Sequence, residues 1–206
     1  MPRLIVIFFI AILGAWVNIM SIFRMPTAEH LCEESSDERR ASNELPYHYV
    51  GSGLANVYLT GIKYSICEKC GMQSAEIPAL KELLTALART VVEKRSPLTG
   101  DEIRFLRKRL EKKSANFAEM IGLTPEYFSR LENGKVADAK GAGQSTDKLI
   151  RIIYSQLSGD KKLKSIFDKR FEQWLTEIHS EEKKEIILAA RTKKKQWRIA
   201  TEVEAA

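Results

Sequence analysis

The segment Asn116–Lys135, NFAEMIGLTPEYFSRLENGK, constrains the fold more than any other part of the chain. Phe117, Ala118 and Ile121 recur at the spacing of one helical face, and Phe128 with Leu131 repeats that spacing a few residues on. Between them Gly122 stands where a chain leaving a helix needs a positive φ, and Leu123 is placed to plug the corner. Thr124 followed by Pro125 reads as a helix start: the hydroxyl accepts an orphan N–H, and a proline at the first helical position has no N–H to lose. Ser114 is the expected cap of the preceding helix. The segment therefore predicts two short helices joined by a tight turn, the second running from Thr124 to Asn133 and leaving Glu126, Tyr127, Ser129 and Arg130 facing outward.

The flanks extend this into a helical domain over residues 96–158. Gly100–Leu110, GDEIRFLRKRL, puts Ile103, Leu106 and Leu110 on one face and is expected to leave Arg104, Arg107, Lys108 and Arg109 on the surface. STDKLIRIIYSQL is expected to start at a Ser145/Thr146 cap and to bury Leu149, Ile152, Ile153 and Leu157. Four helices around one shared core result, and the second helix of the Asn116–Lys135 pair has the proportions of one that enters the DNA major groove by its N-terminal end. The reading of such a helix assigns base contacts to Glu126, Arg130 and Pro125. Phosphate contacts fall to Ser114, Thr124, Tyr127, Ser129, Asn133 and Lys135. Arg130 can fork onto O6 and N7 of guanine; Glu126 either accepts from cytosine N4 or pairs with Arg130 one turn on. A domain of this size covers one half-site, so a homodimer on a palindrome of double-stranded DNA is expected. The competing reading is a helical bundle that binds only protein.

Charge is compatible with a phosphate-bearing partner and does not single one out: 33 Lys and Arg against 27 Asp and Glu give a net +6 over 206 residues. Three cysteines do not form a disulfide framework and point to a reducing compartment. Leu4–Phe23 is apolar except for Asn18 and Ser21 and is long enough to cross a bilayer, with no small-residue cleavage site after it. Two readings stay open for residues 1–24. Translation starting at Met25 would leave a cytoplasmic, nucleoid-associated chain; a true anchor would tether a cytoplasmic DNA-binding domain to the membrane. Residues 25–45 are polar and without periodicity, and are expected to be a disordered linker.

Residues 46–95 change to strand chemistry. YHYVGSGLANVYLTGIKYSICEKCG alternates aromatic and β-branched residues between glycines, which predicts two or three short antiparallel strands with turns near Gly51–Gly53 and Gly61. Cys67 and Cys70 close it as a CxxC knuckle, the spacing at which two thiolates grip one edge of a zinc tetrahedron. Structural zinc is the cofactor this pattern admits; a full ligand set would have to recruit Cys32, His30 or His48, or a second chain. IPALKELLTALARTVVEKRS follows as an amphipathic helix with Ile77, Leu80, Leu83, Leu84, Leu87 and Val91 on one stripe. Residues 159–206 are expected to be a C-terminal helical extension, with QWRIATEV open to being a terminal strand.

The succession Y-x-Y, G-L-x-N-V-Y-L-x-G, CxxCG, I-P, an amphipathic helix, L-T-G-x-E-I-R-F-L-R-K and FAEMIGLTPEYFSRLENGK resembles the MqsA-like antitoxin family, from Tyr47 to about Leu157. That family joins a YgiT-type zinc-finger N-terminus to a Cro/CI-type (XRE) helix-turn-helix. The resemblance implies a dimeric DNA-binding autorepressor and, as a second role, an antitoxin of a type II system that neutralises a cognate toxin protein through its N-terminal module. Zinc-binding members carry four cysteines, of which this chain keeps Cys67 and Cys70; the family has an arginine at the position of Arg130 and an amide at that of Glu126. The expected fold class is α+β, mainly α: a small antiparallel zinc-ribbon-like β module, a four-helix XRE-type domain and C-terminal helices. An enzyme is not expected, since there is no HExxH, no phosphate-cradling glycine loop and no GxSxG, and His30, His48 and His179 have no partners at catalytic spacing.

Overall fold

A computed structural model describes residues 36–135, 143–177, 185–191 and 196–203. The elements are strands β1 Ser36–Arg40, β2 Tyr47–His48, β3 Val57–Thr60, β4 Lys63–Cys67 and β5 Gln73–Ala75, then helices α1 Leu80–Glu93, α2 Gly100–Arg109, α3 Ser114–Met120, α4 Pro125–Glu132, α5 Gln144–Leu157 and α6 Lys161–Glu177, and last strands β6 Glu185–Arg191 and β7 Trp197–Val203. The protein is thus mixed α and β, with helices and two small sheets of order β1-β4-β5 and β2-β3-β6-β7. Among the described residues, those of Glu38–Ile66 and Gln73–Ala206 form one compact unit, and Cys67–Met72 belongs to another.

The pairs β2/β3 and β4/β5 are antiparallel, as the alternation predicts. Successive strands β3 and β4 nevertheless enter different sheets. β3 runs parallel to β6, with Val57 opposite Ile187 and Leu59 opposite Ala189, four residues that are all buried. Here the expectation that the C-terminal extension is helical up to QWRIATEV is corrected: α6 ends at Glu177, and β6 and β7 form an antiparallel pair. EIILAA is a short apolar run whose periodicity cannot separate helix from strand, and pairing along the edge of β3 decides it. QWRIATEV does supply a strand. The linker expected over residues 25–45 is also corrected in its second half, where Ser36–Arg40 is a strand and Ala41 is buried. SDERR carries no apolar pattern because its place in the sheet is held by backbone bonds. His30, Cys32 and Leu4–Phe23 lie outside the described residues, and among those described no helix is long and apolar enough to cross a membrane.

α1 buries Leu83, Leu87, Ala88, Val91 and Val92, while Leu80 at its start is exposed. Its N-terminal approach is pinned where the Trp197 indole Nε1–H donates to the Pro78 carbonyl at 3.0 Å. α2 opens on a reciprocal cap: the Glu102 N–H donates to Thr99 Oγ1 at 3.3 Å and the Thr99 N–H to Glu102 Oε2 at 2.7 Å. Lys94 Nζ sits 2.7 Å from the same Oε2, neutralising a carboxylate that is nearly out of solvent.

α5 departs from its expected phase. Leu149 and Leu157 are exposed, and Ile150 and Tyr154 turn inward together with Asp147 and Arg151. Gly143, not Ser145 or Thr146, is the residue at its N-cap. The buried pair accounts for the rotation. Arg151 Nε donates to Asp147 Oδ1 at 2.5 Å, and its two terminal nitrogens reach the carbonyls of Val92 at 2.9 Å, Lys94 at 2.6 Å and Ser96 at 2.7 Å. Those carbonyls are the orphaned acceptors at the end of α1 and in the loop after it. Asp147 Oδ2 in turn accepts the Leu98 N–H at 2.6 Å.

Asp160 closes the other side of this region. Its carboxylate takes a two-pronged contact from Arg89, at 2.5 and 2.9 Å, and accepts the Lys162 and Leu163 N–H groups at 3.0 and 3.3 Å at the start of α6. Burial pushes the carboxyl up, but the Arg89 contact and the backbone donors together hold it below the ordinary aspartate value. A depressed folded-state value contributes stability above the unfolded pKa, lost as pH falls through the folded one. Asp160→Asn keeps a competent cap oxygen but loses the charge paired with Arg89, and is expected to lower stability at neutral pH by up to about 1 kcal/mol. It should also flatten the acid limb of the urea midpoint plotted against pH.

Candidate nucleic-acid interface

α3 and α4 form the pair that the Asn116–Lys135 spacing predicts. Phe117 and Phe128 are fully buried with ring centroids 5.5 Å apart, so the two helices meet through one aromatic contact. Between them Gly122 adopts φ +72°, and the Leu123 N–H donates to the Ala118 carbonyl at 2.9 Å, closing α3. Thr124 Oγ1 accepts the Tyr127 N–H at 3.3 Å, and Pro125 occupies the first position of α4.

α4 is held at its other end by charge. Glu132 turns into the core between α2 and α3, where Arg107 forks onto it at 2.7 and 3.1 Å and the Ser114 hydroxyl donates to it at 3.3 Å. Arg104 Nη2 donates to the Glu132 carbonyl and to Asn133 Oδ1, both at 2.7 Å. These contacts correct the expectation that Arg104 and Arg107 are free surface cations. They also engage the side chains of two residues assigned to phosphate contact. Ser114 does not cap α3, whose N-cap position is Lys113 without a side-chain cap bond; its hydroxyl is directed to Glu132. Asn133 has both ends of its amide engaged, since Nδ2 donates to the Ser129 carbonyl at 2.7 Å. Glu132 was legible as a polar residue at helical spacing from Phe128, whereas its arginine partners required the packed structure.

The start of α2 abuts the same helix end: a Cβ added at Gly100 would stand 2.7 Å from both the Leu131 and Glu132 carbonyl oxygens. Backbone cannot yield as a side-chain tip can, so Gly100→Ala is expected to destabilise by about 1–3 kcal/mol, read as a lower urea midpoint at unchanged slope. Glu132→Ala leaves the Arg107 guanidinium without its carboxylate in a nearly dry site. A loss of about 3–5 kcal/mol is expected from chemical denaturation, with Glu132→Gln intermediate because it keeps an acceptor.

Besides Asn133 and the flanking glycines, the exposed residues of α4 and its flanks are Thr124, Pro125, Glu126, Tyr127, Ser129, Arg130 and Lys135. Among the described residues neither Glu126 nor Arg130 has a side-chain hydrogen bond or ion pair, so the arrangement in which Glu126 holds Arg130 is not the one seen. Thr124 accepts through its oxygen and keeps its hydroxyl proton to donate. Lys112 and Lys113 add exposed positive charge just before α3.

Cys67 and Cys70 lie at the end of β4 and in the turn after it, Cys67 buried and Cys70 exposed. The Gly71 N–H donates to the Cys67 carbonyl at 2.8 Å, and the Cys67 N–H to the Met72 carbonyl at 3.0 Å. Among the described residues no three His, Cys, Asp or Glu side chains are grouped so that they could hold a metal ion, and the other candidate ligands His30 and Cys32 lie outside those residues. His48 is occupied elsewhere: its ring stacks on Tyr58 at 4.8 Å and Nε2 is 2.7 Å from the Ala55 carbonyl. No protein-family model matches the chain, and neither a curated protein nor a solved structure matches it.

Proposed function

We propose that the protein is a sequence-specific DNA-binding regulator that lays α4 in the major groove as the second helix of a helix-turn-helix. One contrast supports this reading above others. Around α4, the polar groups of Arg104, Arg107, Ser114, Glu132 and Asn133 are engaged within the fold, whereas Glu126 and Arg130, one turn apart on the exposed side, have no side-chain partner among the described residues. Polar groups positioned by a scaffold and lacking internal partners are suited to reading base edges. Arg130 is the guanine-reading residue and Glu126 the residue that favours cytosine N4 as a donor, with Pro125 against the groove floor. The Thr124 hydroxyl, Tyr127, Ser129 and Lys135 contact the phosphates. DNA binding of this kind would place the chain at the nucleoid.

Selection of bound sequences from a random duplex pool by the full-length chain, followed by titration of the winner at several salt concentrations, tests the reading. The expected result is a palindrome bound at least about a thousandfold more tightly than random duplex. Steep salt-dependent binding with no preferred sequence would reject it.

A further inference from the structure

We infer that Cys67 and Cys70 are a site of reversible thiol oxidation, in which Cys70 is the thiol that meets the oxidant and Cys67 the one that resolves the adduct into a disulfide. The pair stands in the connection between β4 and β5, whose ladder ends with Ile66 opposite Gln73. Two backbone bonds shape that connection. The Cys67 N–H donates to the Met72 carbonyl at 3.0 Å, and the Gly71 N–H donates to the Cys67 carbonyl at 2.8 Å. Gly71 completes the return at φ +70°, a region open to a residue without Cβ. Both backbone polar groups of Cys67 are thus engaged, and the chain turns over residues 68–70. A chain that turns within four residues brings its first and fourth Cα atoms to within about 7 Å, and a disulfide spans roughly 4.4–6.8 Å. The turn therefore presents the two thiols, both in the reduced form, at a separation that one bond can close.

Access assigns the roles. Cys67 is 6% exposed, whereas Cys70 stands in solvent. Thiol–disulfide exchange requires the attacking sulfur to be reachable, so a small disulfide such as oxidised glutathione meets Cys70 first. The Cys70 thiolate attacks one sulfur of that oxidant, forms a mixed disulfide and releases one glutathione thiolate. The Cys67 thiolate then attacks the Cys70 sulfur, the bond between the two cysteines forms, and the second glutathione leaves as its thiolate. The two cysteine protons end on the released thiols, and the two electrons lost by the protein are gained by the oxidant. A disulfide in an exposed turn is of the labile kind that a thiol pool reverses. In a reducing compartment such bonds are transient and serve catalysis or redox sensing. A metal ion held by the same two sulfurs would block both steps. The inference stands independently of DNA binding.

The test exposes the full-length chain to glutathione buffers of graded oxidised-to-reduced ratio, quenches with acid, alkylates the remaining thiols and maps the products by mass spectrometry. The parent and Cys32→Ser are both expected to acquire a bond between 67 and 70 that dithiothreitol removes completely. Cys67→Ser should stop at a glutathione adduct on Cys70, because the resolving thiol is gone. Cys70→Ser should take up glutathione at Cys67 at least roughly tenfold more slowly than Cys67→Ser does at Cys70, since burial limits attack. The bond in the parent and in Cys32→Ser is read without altering either cysteine of the pair, so the result does not hang on how the serine variants fold. A bond that maps to Cys32, adducts on both thiols with no bond between them, equal uptake by the two serine variants, or thiols that react only after a chelator has stripped a metal ion would each overturn the assignment.

Discussion

Replacing Arg151 by alanine is expected to cost about 3–5 kcal/mol, the range for stripping a buried ion pair of one partner. The reason lies in what the guanidinium touches. It is fully buried, paired to Asp147, and donates to the carbonyls of Val92, Lys94 and Ser96, so its removal leaves a buried carboxylate and three backbone acceptors unmatched at once. Arg151→Lys should recover only part of the loss, since one ammonium cannot span sites that the planar fork reaches. The paired change Asp147→Leu with Arg151→Met is a sharper check. Where a buried pair satisfies only itself, such a double replacement is often neutral; here it should stay strongly destabilising, because the α1 carbonyls and the Leu98 N–H still lose their partners. Urea denaturation of the single and double variants decides this, and a double variant as stable as the parent would show that the carbonyl contacts contribute little.

Arg130→Ala is expected to reduce binding to the selected DNA sequence by roughly 10- to 100-fold and to relax preference at one base pair, the worth of a bidentate contact with guanine. Affinity for random duplex and the fold should change little, because Arg130 is exposed and has no partner among the described residues. Lys135→Ala gives the contrast. If its ammonium meets a phosphate as proposed, binding should weaken evenly across sequences and depend less steeply on salt. Equal weakening on all sequences for Arg130→Ala would move that residue from base reading to backbone contact.

How much of this could be read in advance depends on the range of the interactions concerned. The turn between α3 and α4 was legible because Gly122, Leu123, Thr124 and Pro125 act on neighbours a few residues away, and capping with helical spacing is a local signal. The same holds for α1, whose stripe of Leu83, Leu87 and Val91 repeats at the helical period. α5 misled for an instructive reason. Counting apolar residues favours a face with Leu149 and Leu157, and the buried face includes an aspartate and an arginine that only become tolerable once they meet each other and the end of α1.

Local spacing and capping sufficed for the helix pair, its turn and the outward residues Glu126, Tyr127, Ser129 and Arg130, since a helix's period dictates its faces whatever it packs on. Packing was needed to show that Arg104 and Arg107 serve α4 instead of solvent, that Glu185–Arg191 and Trp197–Val203 are strands, and that β6 lies parallel to β3. Each of these joins groups far apart in the chain. A charged side chain can point to water or to a buried carboxylate, and a short apolar run can be helix or strand, until the partner that removes the alternative is in place.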